Sequence, residues 1–400
     1  MPSREEKRAE HLRIIDSLSD KLSERRRSER VTMEKISTHQ SMTLGATVLM
    51  GGTFLLIGSN VNRAGGRDGW MTILPAFAVA IPYGLMVLSL SAQYPHENLL
   101  QISENVFGKW IGKIIGFIYI LISGYYGGLV LALIGAVYNQ SIMMLTPLWV
   151  FYVGSLLIIF YLVNSGIEVF ARFSEVIFPL IVIGLVLNVV LSIPNIEPGE
   201  LLPILGEGLK PLYFAALRVM AYSMVYILFL AGILPFLPTG KQELDQLKTG
   251  LWRAVFWVGI LNTSVVLMEI LVFGPREIVR LIFAILELGK MVEISRTIAG
   301  IESLFLGVWL GALVIKVSAF LFMTTWGIET VFKFRGLKWR FAVSAVFLGI
   351  AFGFMREYSL KVELSTVELY LIFPFTSVWI PTLWAVARWK KGASVRCANK

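Results

Sequence analysis

Apolar positions run on without alternation. From residue 38 onward, runs of about 20 apolar residues recur to the end of the chain, separated by short polar stretches. A run of that length crosses the hydrocarbon core of a bilayer as a helix. A transmembrane β-barrel is excluded, because its strands would alternate with period two. Ten spans are read, at 38–61, 70–93, 109–139, 147–164, 174–193, 212–237, 250–273, 304–331, 339–355 and 366–388. Pro147 and Pro211 mark helix starts, and Pro194 and Pro238 mark helix ends. Trp70, Trp110, Trp149, Trp339 and Trp384 fall near span ends, where indole rings anchor at the membrane interface.

The first span breaks in its own middle. Within Leu44–Trp70, LGATVLMGGTFLLIGSNVNRAGGRDGW, the apolar run is interrupted at Met50-Gly51-Gly52-Thr53. Glycine is a poor helix former and permits close backbone approach. In lipid, backbone groups freed by a break must be satisfied by protein or by a cavity. Such breaks build the substrate sites of transporters, whereas a glycine pair elsewhere serves helix–helix contact. Ten spans divide into five plus five, and an odd number per half inserts the halves in opposite orientation, as in inverted-repeat transporters. Spans one and six then correspond. At about 1.5 Å per residue, Gly51-Gly52 and Ala221-Tyr222-Ser223 both lie near the middle of a core roughly 30 Å thick. The expected fold is an all-α polytopic membrane protein, a 5+5 inverted repeat whose first and sixth helices are broken.

Composition agrees: 56% of residues are hydrophobic and the mean hydropathy is +0.71. The formal charge of +9 could point to nucleic acid, but its placement points to membrane topology. With the N-terminus inside, inner segments hold 25 of the 36 Lys and Arg residues and outer segments hold nine. That bias puts both termini in the cytoplasm, and no nucleic-acid partner is expected. The lone cysteine, Cys397, makes no intrachain disulfide. The histidines, His11, His39 and His96, lie in the tail or near span ends, which argues against a histidine proton relay. Residues 1–35 form a charged cytoplasmic tail with ten Lys/Arg and eight Asp/Glu. In it Leu12, Ile15, Leu18 and Leu22 share a helical face, so the tail is either largely disordered or a short amphipathic helix. A chain begun at Met33 would start about where the membrane domain starts. Residues 36–391 make that domain, and residues 392–400 a cytoplasmic C-terminal tail.

Several stretches together carry a resemblance. They are Ile36-Ser37 with Gln40, Gly52-Thr53, and GGRDGW at 65–70. Tyr94-Pro95, Phe107-Gly108-Lys109, Leu145-Thr146-Pro147, and Gly166-Ile167-Glu168 with Arg172 follow. LLPILGEGLKP at 201–211 and Leu234-Pro235-Phe236-Leu237 complete the set. In order and spacing, over about Ile36 to Lys391, the chain resembles the B subunits of spore germination receptors, the GerAB family. That family is similar to the amino acid–polyamine–organocation transporters, with a LeuT-like core. The resemblance implies a subunit in the inner membrane of a dormant spore, working with A-type and C-type (lipoprotein) partners to sense a small-molecule germinant, commonly an amino acid. A cation-coupled amino acid permease and an ion or water channel subunit are the alternatives. The charged tail is unusual for the family. So is the middle of span six, Ala221-Tyr222-Ser223-Met224-Val225-Tyr226, where relatives often show a small and an acidic residue.

Candidate ligand-binding residues follow from depth and chemistry. Gly51, Gly52 and Thr53 would expose N–H and C=O groups suited to a carboxylate and an ammonium. Tyr222, Ser223 and Tyr226 lie at the same depth on span six, as pocket lining or as core packing. Lys316 lies near the centre of span eight, and a charge there is a functional-site hypothesis by default. Tyr125 and Tyr126, beside Gly127-Gly128 on span three, are expected to face it. Arg218 and Glu269 either pair in the outer third or reach separately for the interface. Glu168, Arg172 and Glu175 either form an inner gate network or a solvated loop. Gly274–Ser303 reads as an amphipathic helix in the outer interface, with Ile278, Leu281, Ile282, Ile285 and Leu288 on one face. No GxSxG, HExxH or Walker pattern occurs, so no enzyme activity, cofactor or metal is expected. Deleting residues 1–32 is expected to leave the membrane domain folded, as a single monodisperse species in detergent. Loss of assembled protein would contradict the reading of the tail as separate.

Overall fold

The computed structural model describes residues 36–141, 143, 145–291, 301–334, 336–354 and 357–398. The expectations for residues 1–35 lie outside them, as does part of Gly274–Ser303. Each of the ten expected spans is helical, and no strand occurs among the described residues. Span 1 comprises Thr38–Met50 and Thr53–Gly65, and span 2 comprises Ile73–Ala78 and Ala80–Gln93. Spans 3 to 9 are Lys109–Ser141, Leu148–Asn164, Ile167–Leu191, Lys210–Ile233, Lys241–Ile278, Ile301–Val331 and Leu337–Gly353. Span 10 runs from Glu357–Val367 through a π-helical turn, Glu368–Ile372, into Phe373–Ala398. Seven helical runs are long and apolar enough to cross a membrane by length and composition. Caps fix some starts. Ser37 and Gln40 bond each other's backbone N–H reciprocally at the head of span 1. Pro147 caps span 4, and Pro211 sits in the first turn of span 6, where its missing N–H costs nothing.

Burial sorts the spans into a centre and a rim. In the most apolar windows of spans 6 and 8, 83% of residues are buried, against 28% in spans 5 and 10, whose outer faces carry Val176, Ile183, Tyr370 and Val378. Such exposed apolar side chains are what a lipid-facing surface requires. The packing also carries a symmetry that the sequence hides. Span 1 packs on spans 5 and 7, while span 6 packs on spans 10 and 2. Span 3 packs on spans 4, 9 and 10, while span 8 packs on spans 9, 4 and 5. Spans 1 and 6, 2 and 7, and 3 and 8 pack on each other. Exchanging the halves, each span for the one five later, leaves this pattern unchanged, as an inverted repeat requires.

Span 1 is interrupted where the sequence places the break. Gly52 has φ +81°, in the left-handed region, and heads the second half-helix. The Gly51 N–H closes the first half-helix with its regular bond to the Thr47 carbonyl (2.7 Å), and the Thr53 hydroxyl donates to the Leu49 carbonyl (2.7 Å), which the break leaves without its helical N–H. Span 6, expected to be broken as well, is one helix throughout, a correction to the sequence reading. Its middle, AALRVMAYSMVYILFLA, holds neither Gly nor Pro, so every interior N–H can find its carbonyl a turn earlier. The helix yields only at Leu234-Pro235-Phe236, a 3₁₀ turn.

The outer segment after span 7 also differs from expectation. Gly274 (φ +74°) kinks the helix, which stops at Ile278, and a short helix, Ala284–Lys290, resumes after a turn. Ile285, Leu286 and Leu288 are buried, and this short helix packs on spans 1 and 7 rather than lying free at the interface.

The backbone at Gly52 sets a stability test. Gly52→Ala forces a Cβ into a left-handed conformation, costing about 1–2 kcal/mol, and places it 3.1–3.2 Å from Leu133 and Leu313. Its melting temperature in detergent should fall by several degrees. Gly154→Ala in span 4, where a Cβ meets nothing within 4 Å, should not lower it. Thr53→Val, which removes the hydroxyl bond to Leu49, should cost about 1 kcal/mol in the same assay.

Candidate functional site

Span 8 meets span 1 at the break. A Cβ on Gly51 would stand 2.9 Å from the Ala312 carbonyl oxygen and 3.3 Å from the Lys316 Cβ, so the glycine is what lets the two backbones approach. This contact puts Lys316, 2% exposed, beside the end of the first half-helix. Its ammonium lies 5.4 Å from the centroid of the Tyr126 ring, on the negative face of the π-system. Tyr126 in turn donates its hydroxyl to Glu368 Oε1 (2.7 Å) and packs edge-on against Phe320. Glu368, 4% exposed, opens the π turn of span 10 and interacts electrostatically with Lys316. Tyr222 on span 6 lies within the field of Glu368, and its hydroxyl accepts from Asn60 Nδ2 (2.5 Å) on the second half of span 1. A buried polar cluster thus joins spans 1, 3, 6, 8 and 10.

The other expected residues divide. A Cβ added at Gly52 would meet the apolar tips of Leu133 and Leu313. Thr53 is turned back across the break, and Ser223 back onto its own helix at the Met220 carbonyl (2.8 Å). The Tyr226 ring packs on Gly45, one and a half turns before the break. Tyr125 does not face Lys316. Its hydroxyl donates to Glu363 (2.8 Å) and its ring meets Phe354. Adjacent residues on a helix diverge by about 100°, so Tyr125 and Tyr126 could not both face one centre.

Glu368 was missed from sequence because it stood at the edge of span 10. The signal was present. Lys361, Ser365, Glu368 and Ile372 recur at helical spacing and are all buried. The same stripe explains a second cluster, on the side remote from the start of span 1. Glu269, 1% exposed, abuts Gly58, at which a Cβ would collide with the carboxylate. Lys361, 4% exposed, interacts with Glu269 and Arg63 and donates to the Leu281 carbonyl (3.2 Å). Arg218 does not pair with Glu269; it donates to Ser365 (2.8 Å). At the opposite side, Glu175 accepts from His39 Nδ1 (2.8 Å) and Gln40, tying span 5 to the start of span 1, while Arg172 pairs with Glu168 (2.6 Å).

Comparisons with known proteins bear on the family and the fold. The family model described as "Spore germination protein" matches residues 35–357. Spore germination protein YndE of Bacillus subtilis is 23% identical over 363 residues, covering 89% of this chain and 97% of its own. Spore germination protein KB of the same organism is 25% identical, covering 82% and 88%. Spore germination protein GerQB of Bacillus cereus is 21% identical, covering 88% and 95%. Among solved structures, the nucleobase-cation-symport-1 transporter MHP1, closed with bromovinylhydantoin bound, superposes with a TM-score of 0.64. It is 15% identical and matches 87% of this chain and 78% of its own. A Na+-coupled sialic acid symporter, substrate-bound and outward-open, superposes at 0.61 with 13% identity, matching 89% and 78%. These two likenesses establish the fold, a LeuT-like transporter architecture. The germination model and the near full-length relatives establish that the chain belongs to the spore germination protein family.

Proposed function

We propose that the chain is the ligand-sensing B subunit of a spore germination receptor, binding a small nutrient, in the first instance an amino acid, at mid-membrane. The observation that carries the reading is the interruption of span 1 beside Lys316. A broken helix and a buried cation at one depth are both costly in lipid, and their coincidence is explained by a ligand that uses them. The charge bias along the chain supports cytoplasmic termini, and the family supports residence in the inner membrane of the spore. The ligand binds one packing of the spans better than another, and A-type and C-type partner subunits read the shift; a ligand with equal affinity for both would signal nothing. A proton- or cation-coupled amino acid permease is the second reading, favoured by the transporter fold of the structural neighbours.

Spores carrying this receptor alone, screened against single amino acids, test the first reading by release of dipicolinic acid. Lys316→Met should abolish the response or shift its dose dependence at least tenfold while the protein remains in the membrane. An unchanged dose response would reduce Lys316 to a packing element. Uptake of a labelled amino acid by the purified chain in liposomes, without partners, would favour the permease.

A further inference from the structure

The central cluster brings an ammonium and a carboxylate into one buried environment, from spans far apart in sequence. We propose that Glu368 recognises the ammonium group of a zwitterionic ligand, and that Lys316 stands in for that ammonium when no ligand is bound. The inference rests on the reading that the centre of the fold binds a ligand, and it adds to that reading the residue that takes the ammonium and the part that Lys316 plays.

Three observations carry it. Glu368 opens a five-residue π turn, Glu368–Ile372, in a span that is otherwise α-helical. Such turns are rare and cluster at functional sites, because the extra residue per turn re-aims a side chain at a cost in helix geometry. The carboxylate is also held from a second span: Tyr126 donates to Oε1 at 2.7 Å, which fixes the acceptor before anything binds. Finally, Lys316 approaches the same group along the Tyr126 ring at 5.4 Å rather than through a tight bridge, and no salt bridge joins it to Glu368 among the described residues. A flexible stem with a compact charge can leave such a position by rotation about its own bonds.

The neighbouring charges are engaged elsewhere. Arg218 donates to Ser365, and Glu363 accepts from Tyr125. Lys316 and Glu368 are therefore the pair that a ligand must satisfy. A ligand ammonium replaces Lys316 at Glu368, and the ligand carboxylate takes the displaced Lys316. Each buried charge then has an opposite charge nearby both before and after the exchange. A simple amine would leave Lys316 without a counter-charge, and a simple acid would leave Glu368 so, each a heavily penalised state in a low-dielectric interior. The site thus selects molecules that carry both charges.

The test uses the full-length chain in lipid nanodiscs and follows its melting temperature. The probes are the proteinogenic L-amino acids, the amine and the carboxylic acid derived from each by loss of one group, sodium chloride and potassium chloride. At least one amino acid should stabilise the chain at a concentration at least tenfold lower than its amine or its acid. In Glu368→Gln that amino acid should need at least about tenfold more, in keeping with the loss of a charge-assisted bond. If Glu368→Gln does not fold, Tyr126→Phe keeps both charges and removes only the orienting hydroxyl, and should weaken the response severalfold. The proposal is overturned if no amino acid stabilises the wild-type chain, or if an amine or acid alone does as well. It is also overturned if the folded variant responds at the wild-type dose, or if sodium or potassium stabilises the chain only while Glu368 is present. A germination response in spores that ignores Glu368 would sink this inference alone. Binding that depends on Glu368 without any germination response would sink the receptor reading alone.

Discussion

A helix cannot be interrupted in hydrocarbon without finding new partners for the backbone groups it frees. That constraint organises the centre of this protein. At Gly51-Gly52 the chain turns through a left-handed residue; the first half-helix closes with its regular Gly51-to-Thr47 bond, and the Thr53 hydroxyl takes the Leu49 carbonyl that the break leaves open. The same glycines remove the side chains that would hold span 8 away, so Ala312 and Lys316 come against the break. The interruption and the approach of a cation are one arrangement seen from two spans.

Once Lys316 is buried, its charge constrains what surrounds it. An ammonium at this depth is tolerated next to a π face and a carboxylate, and Tyr126 and Glu368 supply these from spans 3 and 10. Tyr126 serves both, through its ring and through its hydroxyl. Its position is in turn set by packing, since the adjoining Gly127 and Gly128 accept Phe347 and Ile350 of span 9. The centre is thus joined to span 10, a rim element whose outer face carries exposed apolar side chains.

Much of this was legible in the sequence, for definite reasons. Apolar runs of membrane length located all ten spans, and the only Gly-Gly pair inside span 1 located its break. Lys316 was legible because a lone charge in an otherwise apolar run is conspicuous. Glu368 and Lys361 were not, because they lie where the apolar run of span 10 begins and the helix continues back to Glu357, beyond what hydropathy marks. Their burial is set by neighbours from spans 3, 6, 7 and 8, and that information is tertiary. The break assigned to span 6 failed differently. It was inferred from the symmetry of the halves, whereas AALRVMAYSMVYILFLA has no residue that would interrupt a helix.

That failure bears on how the site is built. In an inverted repeat with two broken helices, four half-helix ends point backbone donors and acceptors at the middle of the membrane. Here the packing keeps the twofold pattern, but of the corresponding spans 1 and 6 span 1 alone is interrupted, and span 6 pairs its own backbone. Half of the backbone groups that such a centre would offer are consumed within a helix. The polar character must then come from side chains, and the centre gathers them: Lys316, Glu368, Tyr126, Tyr222 and Asn60, one from each of five spans. Side chains swing and backbone ends do not. A centre made of an ammonium on a flexible stem, a carboxylate and two phenols can change its pairing by side-chain rotation without breaking a helix, and each such change alters the contacts of the spans from which it is built.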